Sequence, residues 1–148
     1  MRALVQRVIN ASVIIDQKEY SKIEKGLLIY LGVEKNDLEE NANWLAKKIA
    51  RLRIFADENE KMNLSAYDCD LEALVVSQFT LNANCQQGRR PDFLQSAEPT
   101  LALNLYEKFI KEMKKNLKSV KSGKFAAMMQ VQSINDGPAT FFIEKTND

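Results

Sequence analysis

The sequence predicts an α/β protein in which a mixed, mainly antiparallel β-barrel is flanked by two helices. Three observations predict this fold class: short β-rich runs outnumber helical ones, only two segments repeat apolar residues at helical spacing, and no Pro-, Gly- or Ser-rich stretch divides the 148 residues. A doubly wound sheet would need helices that alternate with its strands. We therefore expect one small barrel domain that spans residues 1–148.

The first part of the chain is rich in strands. Arg2 to Val8 alternates between two faces, and Ser12 to Ile15 and Leu27 to Val33 are further β-rich runs bounded by turn residues. Strands that follow one another through short turns commonly pair antiparallel. The sequence therefore predicts that an antiparallel meander opens the domain.

Two segments have helical periodicity. Asp37 followed by Glu40 has the form of a capping box, and the apolar residues after it predict a helix from about Leu38 to Ala50. A second helix, which begins near Pro99, has an apolar face and an opposite row of lysines that continues through Lys108 to Lys124. This basic row is either a solvated face or a contact for nucleic-acid phosphates.

The remaining strands carry polar groups at their ends. Leu71 to Leu81 is a near-continuous apolar run of the type buried on both faces of a sheet, and its end carries Ser77 to Thr80. Ala127 to Ile134 and Ala139 to Glu144 are predicted to form two strands. The turn-type residues between them predict a connection through Gly137 and Pro138.

The composition excludes several classes of function. The formal net charge is +1, so an overall basic field cannot hold nucleic acid and any such contact must be local. The chain has no histidine, which removes the commonest general base, the usual triads and most catalytic zinc sites. Cys69 and Cys85 lie in no metal-type spacing, so we expect free thiols, no metal and no cofactor.

No signal-peptide pattern opens the chain, and no apolar run approaches the roughly 18 residues of a membrane span. We therefore expect a cytoplasmic protein that makes no contact with a membrane.

Several short motifs occur together in one order along the whole chain. They resemble the D-aminoacyl-tRNA deacylase family, the histidine-free type found in bacteria and eukaryotes. The motifs are Arg2-Ala3, Gln6-Arg7-Val8, Leu52 to Phe55, Lys61 to Ser65, Ser77 to Leu81, Gly88 to Pro91, Met129-Gln130-Val131 and Asn135 to Thr140.

The resemblance implies a homodimer of β-barrel subunits that binds the 3′ end of aminoacyl-tRNA. Such an enzyme hydrolyses the ester between a D-amino acid and the terminal adenosine, recycles mischarged tRNA and rejects L-aminoacyl-tRNA. In the family a cis Gly-Pro peptide reaches into the partner's pocket and its carbonyls hold the substrate ammonium, a role that falls here to Gly137 and Pro138. Arg7, whose planar guanidinium carries five N–H donors, is expected to support that peptide by hydrogen bonds. Glycyl-tRNA is expected to escape rejection in part.

Ser77, Gln78, Phe79 and Thr80 are expected to form the other wall of the pocket. A nucleophilic Thr80 would need an activating base, and the chain has no histidine to supply one. The preferred mechanism uses backbone N–H groups around Phe79 and Thr80 as an oxyanion hole. The neighbouring ribose 2′-hydroxyl of the substrate then assists water, as the resemblance also suggests. Phe79 and Met129 are placed to contact the adenine, with a position in the core as the alternative for each.

Some positions depart from the family pattern, and other functions remain open. Ala126 and Met128 replace a glycine and an acidic residue, and Ala139 stands where valine is frequent. Cys85 is expected near the pocket, without a base to activate its thiol. One alternative function is a non-catalytic dimeric nucleic-acid-binding module that uses the row from Lys108 to Lys124. Another is a threonine-dependent esterase of small substrates.

Overall fold

The computed structural model describes residues 1–147, so Asp148, the last residue of the predicted domain, lies outside the described residues. The described chain forms a nearly closed mixed sheet with two flanking α-helices, which confirms the predicted fold class. In chain order the elements are β1 (Arg2–Ile15), β2 (Lys18–Ile23), β3 (Gly26–Gly32), α1 (Glu39–Ala50), β4 (Phe55–Ala56), β5 (Met62–Leu64), β6 (Glu72–Ser77), α2 (Pro99–Asn116), β7 (Val120–Ser122) and β8 (Gln130–Glu144).

Strand β1 organises the sheet. The first half of one of its edges pairs antiparallel with β3 and the second half pairs antiparallel with β2, while β8 pairs along its other edge. The predicted meander is therefore wrong: Arg2 to Val8 and Ser12 to Ile15 belong to the single strand β1, and β2 and β3 both pair with it. The physical reason is the length of β1, whose 14 residues offer separate halves of one edge to two partners.

Strands β3, β6 and β7 run parallel to one another. Parallel neighbours need long crossover connections, and these contain α1 and α2. The predicted strand from Leu71 to Leu81 is shorter than expected: it ends at Ser77, and Phe79–Asn82 forms a single 3₁₀ turn. The change occurs where the run of buried side chains, Ala73 to Val76, gives way to partly exposed polar ones.

The predicted helix from Leu38 to Ala50 is confirmed, with Leu38 as its N-cap. The predicted capping box is wrong, because the Leu38 N–H donates to Asn41 Oδ1 at 2.9 Å while Asp37 accepts from the backbone N–H of Glu34 at 2.7 Å. The helix predicted to begin near Pro99 is confirmed as α2. No helix among the described residues is both long and apolar enough to cross a bilayer. The cytoplasmic location stays a prediction.

The final strand differs most from expectation. The segments before and after Gly137 and Pro138 both pair with β1, so the predicted pair of strands joined by a turn is wrong. Between the pairs Gln6–Thr140 and Val8–Asn135, residues 136–139 bulge out of a single strand. The Gly137–Pro138 peptide within this bulge is cis.

Candidate functional site

A cleft of about 570 Å³ opens between the end of β6 and the segment that leads into β8. Ser77, Gln78 and Phe79 line one part of it, and residues 125–129 line another. Side chains from β3 and α2, including Tyr106, add a largely apolar lining. An apolar concavity with a few polar groups at its edge is the usual form of a small-ligand site.

The polar edge of the cleft is produced by the way β6 ends. The Gln78 N–H donates to the carbonyl of Leu31 at 2.8 Å, and the chain then turns into the 3₁₀ turn that begins at Phe79. The first N–H groups of a helical turn have no partner within the turn. The N–H groups of Phe79 and Thr80 are in this position, so they are candidates for holding an oxyanion.

Thr80 is exposed and is not among the residues that line the cleft. Its Oγ1 accepts a hydrogen bond from Gln78 Nε2 at 2.5 Å. An amide donates but does not remove a proton, so this contact orients the hydroxyl without activating it.

Phe79 and Met129 both line the cleft. The Phe79 side chain is 59% exposed and its ring centroid lies 5.2 Å from that of Phe93, so the alternative of a core position is wrong for Phe79. Met129 is half-buried and packs against the smaller apolar cluster of the barrel. Its neighbour Met128 is 92% exposed. The cleft thus offers one aromatic ring and one thioether to a flat ligand.

Arg7 lies beneath the bulge of β8. Its side chain is 12% exposed and its Nη1 donates to the carbonyl of Ile54 at 2.6 Å. Its Nε donates to the Asp136 carbonyl at 3.2 Å and lies 3.0 Å from the Asp136 carboxylate, and Nη2 donates to the Gly137 carbonyl at 3.5 Å.

Asn135 also holds the bulge: its Nδ2 donates to the carbonyls of Arg7 and Ala139 at 3.0 and 3.3 Å. Turn chemistry alone did not indicate this role of Asn135.

One chain does not bring all the predicted site residues together. Ser77, Gln78, Phe79 and Met129 line the cleft, whereas Arg7, Gly137 and Pro138 do not. Gly137 and Pro138 are exposed, and a Cβ added at Gly137 would meet only Asn135 Oδ1, at 3.9 Å. Gly137 and Pro138 are therefore accessible from outside the chain, although the Gly137 carbonyl also accepts from Arg7.

Tyr106, which sequence reasoning missed, lies where α2 meets the cleft. Its hydroxyl donates to the Val75 carbonyl at 2.9 Å. A tyrosine next to the apolar stripe of a predicted helix is the signal that could have identified it, because a buried phenol needs a partner. Burial raises the pKa of this hydroxyl to about 12.

We expect Tyr106→Phe to lower the free energy of unfolding by about 1 kcal/mol at neutral pH, since one hydrogen bond is lost. In the parent protein the folded pKa lies above the unfolded value of 10.0, so this contribution is complete below pH 10.0 and is lost as the pH rises through about 12. Urea unfolding at pH 8 to 11 should therefore show a weaker alkaline decline for Tyr106→Phe. Tyr67→Phe, at an exposed tyrosine, is the control; an equal effect of both changes would contradict this explanation.

Both cysteines are free thiols, and Cys85 is exposed but does not line the cleft. Within residues 1–147, no three or more Cys, Asp or Glu side chains are grouped so that they could hold a metal ion.

Comparisons with known proteins agree with the observed fold. A sequence model of the family described as D-Tyr-tRNA(Tyr) deacylase matches residues 4–144. The D-aminoacyl-tRNA deacylase of Protochlamydia amoebophila is 51% identical over 144 residues, which are 97% of this chain and 95% of that protein. The enzyme of the same description from Thermotoga petrophila is 47% identical over 146 residues, which are 99% and 98% of the two chains.

Two solved structures are also similar. One, described as c-Myc DNA Unwinding Element Binding Protein, has a TM-score of 0.94 and 37% identity, and the match covers 99% of this chain and 100% of that one. The other, described as a probable eukaryotic D-amino acid tRNA deacylase, has a TM-score of 0.83 over 96% and 97% of the two chains. At 16% identity this second likeness shows the fold alone.

The class defined by these matches is that of hydrolases acting on ester bonds. This chain belongs to the D-aminoacyl-tRNA deacylase family.

Proposed function

We propose that this protein hydrolyses the ester between a D-amino acid and the 3′-terminal adenosine of tRNA and rejects L-aminoacyl-tRNA, with a site shared between two copies of the chain. One observation carries the proposal: in a single chain the cleft contains Ser77 to Phe79 and Met129, while the Gly137–Pro138 bulge lies outside it with its backbone exposed. A second copy that inserts its bulge into this cleft would bring the two halves together.

The free edge of β8 supports a homodimer. This strand is 15 residues long, and among the described residues it pairs only with β1. The apolar side chains of Ile9, Ile134 and Phe142 are each more than half exposed on these two strands. Long unpaired edges and exposed apolar side chains are normally covered in native proteins. We propose that a partner subunit covers them.

In this arrangement, main-chain atoms select the handedness of the amino acid. The carbonyls of Gly137 and Pro138 hold the substrate α-ammonium, and the network around Arg7 keeps them in place. With the ammonium and ester both held, inversion at Cα directs an L side chain into this backbone. The resulting clash excludes every L amino acid, whatever its side chain. Glycine has no side chain to clash, so glycyl-tRNA is expected to be hydrolysed to some extent.

Hydrolysis then depends on position and on main-chain charge stabilisation. The N–H groups of Phe79 and Thr80 stabilise the oxyanion that forms at the ester carbonyl, and the ribose 2′-hydroxyl of the substrate assists the attacking water. The adenine lies against Phe79 and Met129. No side chain of the protein forms a covalent intermediate.

The direct test is the rate of ester loss from D-Tyr-tRNA and L-Tyr-tRNA. We expect kcat/KM to be at least roughly 100-fold higher for the D form, because a rigid clash of a few kcal/mol gives about tenfold discrimination per 1.4 kcal/mol. Equal rates for the two forms, or no rate above that in buffer, would refute the proposal.

We expect Thr80→Ala to lower kcat by less than about tenfold, since only the orienting contact with Gln78 is lost. Removal of a true hydroxyl nucleophile lowers kcat by about 10⁶-fold. Single-turnover deacylation of D-Tyr-tRNA by Thr80→Ala and Thr80→Ser separates the two mechanisms. If Thr80→Ala abolishes activity and Thr80→Ser retains it, substrate-assisted catalysis is wrong and a threonine nucleophile is required.

A non-catalytic nucleic-acid-binding function is the second candidate, favoured by the likeness to the structure described as a DNA unwinding element binding protein. The lysine row on and after α2 gives this candidate little support. Three of its lysines are held by carboxylates: Lys108 bonds Glu39 at 2.6 Å, Lys115 bonds Glu112 at 2.7 Å and Lys118 bonds Asp70 at 2.7 Å.

A further inference from the structure

A second concavity of about 580 Å³ lies on the C-terminal half of α1 and the segment that follows it. We call it the basic groove and define it by the residues that line it: Trp44, Lys47, Lys48, Arg51, Leu52 and Arg53. Four of the six lining residues are cations and none is a carboxylate. In a chain whose net charge is +1, this is a pronounced local excess of positive charge.

Helix stability explains only part of this excess. Lys47 and Lys48 lie in the last turn of α1, where cations interact favourably with the helix dipole. Arg51 and Arg53 lie beyond the last helical residue. Among the carboxylates near the groove, Glu112 lies 3.7 Å from Lys47, but Lys115 holds it more closely at 2.7 Å. Asp57 and Asp68 interact with Arg53 only through longer-range electrostatics, and Arg53 Nε donates to the Asn63 carbonyl at 2.7 Å.

The aromatic residue of the groove adds a flat surface beside the cations. Trp44 is 42% exposed, and Lys145 Nζ lies 5.7 Å from the centre of its ring. At the other end, the Arg51 guanidinium lies 4.2 Å above the ring of Tyr67. Exposed cations interleaved with aromatic rings are the surface chemistry of phosphate-backbone binding, with rings available to sugars or unstacked bases.

The groove is connected to the Gly137–Pro138 bulge through Ile54 and Arg7. Arg53 is followed directly by Ile54, whose carbonyl accepts from Arg7 Nη1 at 2.6 Å. The same guanidinium reaches the carbonyls of Asp136 and Gly137. In the proposed dimer, a bulge that enters a partner's cleft would therefore bring the groove of its own protomer towards that cleft.

We propose that the basic groove of one protomer binds the phosphate backbone of the tRNA acceptor stem whose 3′ end occupies the partner's cleft. The inference rests on the proposed function and adds a separate site to it. Contacts to phosphates do not depend on base sequence, which suits an enzyme that must accept many tRNAs. The lysine row of α2 is less suited, because carboxylates already hold several of its members.

The test compares two double variants that each remove two positive charges. Lys47→Gln/Lys48→Gln alters the groove, and Lys111→Gln/Lys114→Gln alters exposed lysines of α2 as the control. Both variants remove cations from the C-terminal part of a helix. Fluorescence anisotropy with uncharged tRNA over a range of salt concentrations measures binding without requiring activity.

We expect the groove variant to reduce the slope of log K against log salt by roughly two, and to weaken tRNA binding roughly tenfold or more at physiological salt. The ratio of kcat/KM for D-Tyr-tRNA to that for D-tyrosyl adenosine, which lacks a stem, should fall by a similar factor. The control variant should change neither quantity.

Unchanged tRNA binding by the groove variant would overturn the inference, and so would an equal loss in both variants. A change of oligomeric state in the groove variant alone, measured by size-exclusion chromatography, would assign the groove to a protein interface and also overturn it. Failure of the parent protein to deacylate D-Tyr-tRNA would refute the proposed function instead, and the anisotropy measurement would still decide the role of the groove.

Discussion

Replacing Arg7 by alanine is expected to lower kcat/KM for D-Tyr-tRNA by at least about 100-fold, because a displacement of about 1 Å in a positioning element has an effect of that size. The Arg7 guanidinium is the common donor to the carbonyls of Ile54, Asp136 and Gly137. Without it, these carbonyls lose their donor and the bulge loses the group that fixes its direction. Steady-state deacylation of D-Tyr-tRNA measures the effect.

Lysine should not restore this activity, since one ammonium cannot reproduce the planar fork that reaches three carbonyls. Arg2→Ala is the matched control: Arg2 lies on the same strand but bonds Glu34, Glu144 and the Leu81 carbonyl rather than the bulge. We expect Arg7→Ala also to lose about 1–3 kcal/mol of unfolding free energy, as partly buried carbonyls are left without a donor. Urea unfolding separates this loss from the loss of activity in folded protein. Parent-like kcat/KM in Arg7→Ala would contradict the positioning role.

Replacing Gly26 by alanine is expected to lower the free energy of unfolding by about 4 kcal/mol or more. Losses of this size are exceptional and come from mechanisms such as severe overpacking. A Cβ added at Gly26 would lie 2.0 Å from the Glu72 carbonyl oxygen and 2.8 Å from its carbon. Both atoms belong to the backbone of β6, which pairs with β3 at this position. The clash can be relieved only by separating two central strands of the barrel, so we expect loss of soluble protein or a large drop in the urea midpoint.

Gly88→Ala is the control for this substitution. Gly88 has a φ of 70°, but a Cβ there would meet nothing within 4 Å. Its expected penalty is therefore only the local strain of a left-handed residue, about 1 kcal/mol. If Gly26→Ala were no more destabilising than Gly88→Ala, the close approach of β3 and β6 would not limit stability.

The helices were predictable because their signal is local. The apolar spacing placed α1 within one residue of its observed start, and Pro99 marked the start of α2. The capping prediction failed because the residues from Asp37 to Asn41 offer more than one side-chain acceptor, and tertiary contacts decide which of them caps the helix. The polar residues at the end of β6 were also visible in the sequence, although the strand ends at Ser77 and not at Leu81 as predicted.

The cleft was only partly predictable. Phe79 and Met129 were candidates by their chemistry, but their exposure depends on how β6 and the segment before β8 face each other. Tyr106 comes from a helix that is distant in sequence from both. No local pattern indicates that these three side chains share one concavity.

The sequence by itself determined the two helices, the strand-rich character of the chain, the absence of imidazole chemistry and the family. The tertiary structure alone decided that Gly137 and Pro138 form a bulge within β8 rather than a turn between two strands. Asn-Asp-Gly-Pro is compatible with either conformation, because its preferences concern only its own dihedral angles. The choice depends on distant hydrogen bonds: β1 is long enough to pair with the chain on both sides of the bulge, and Arg7 holds the carbonyls between them.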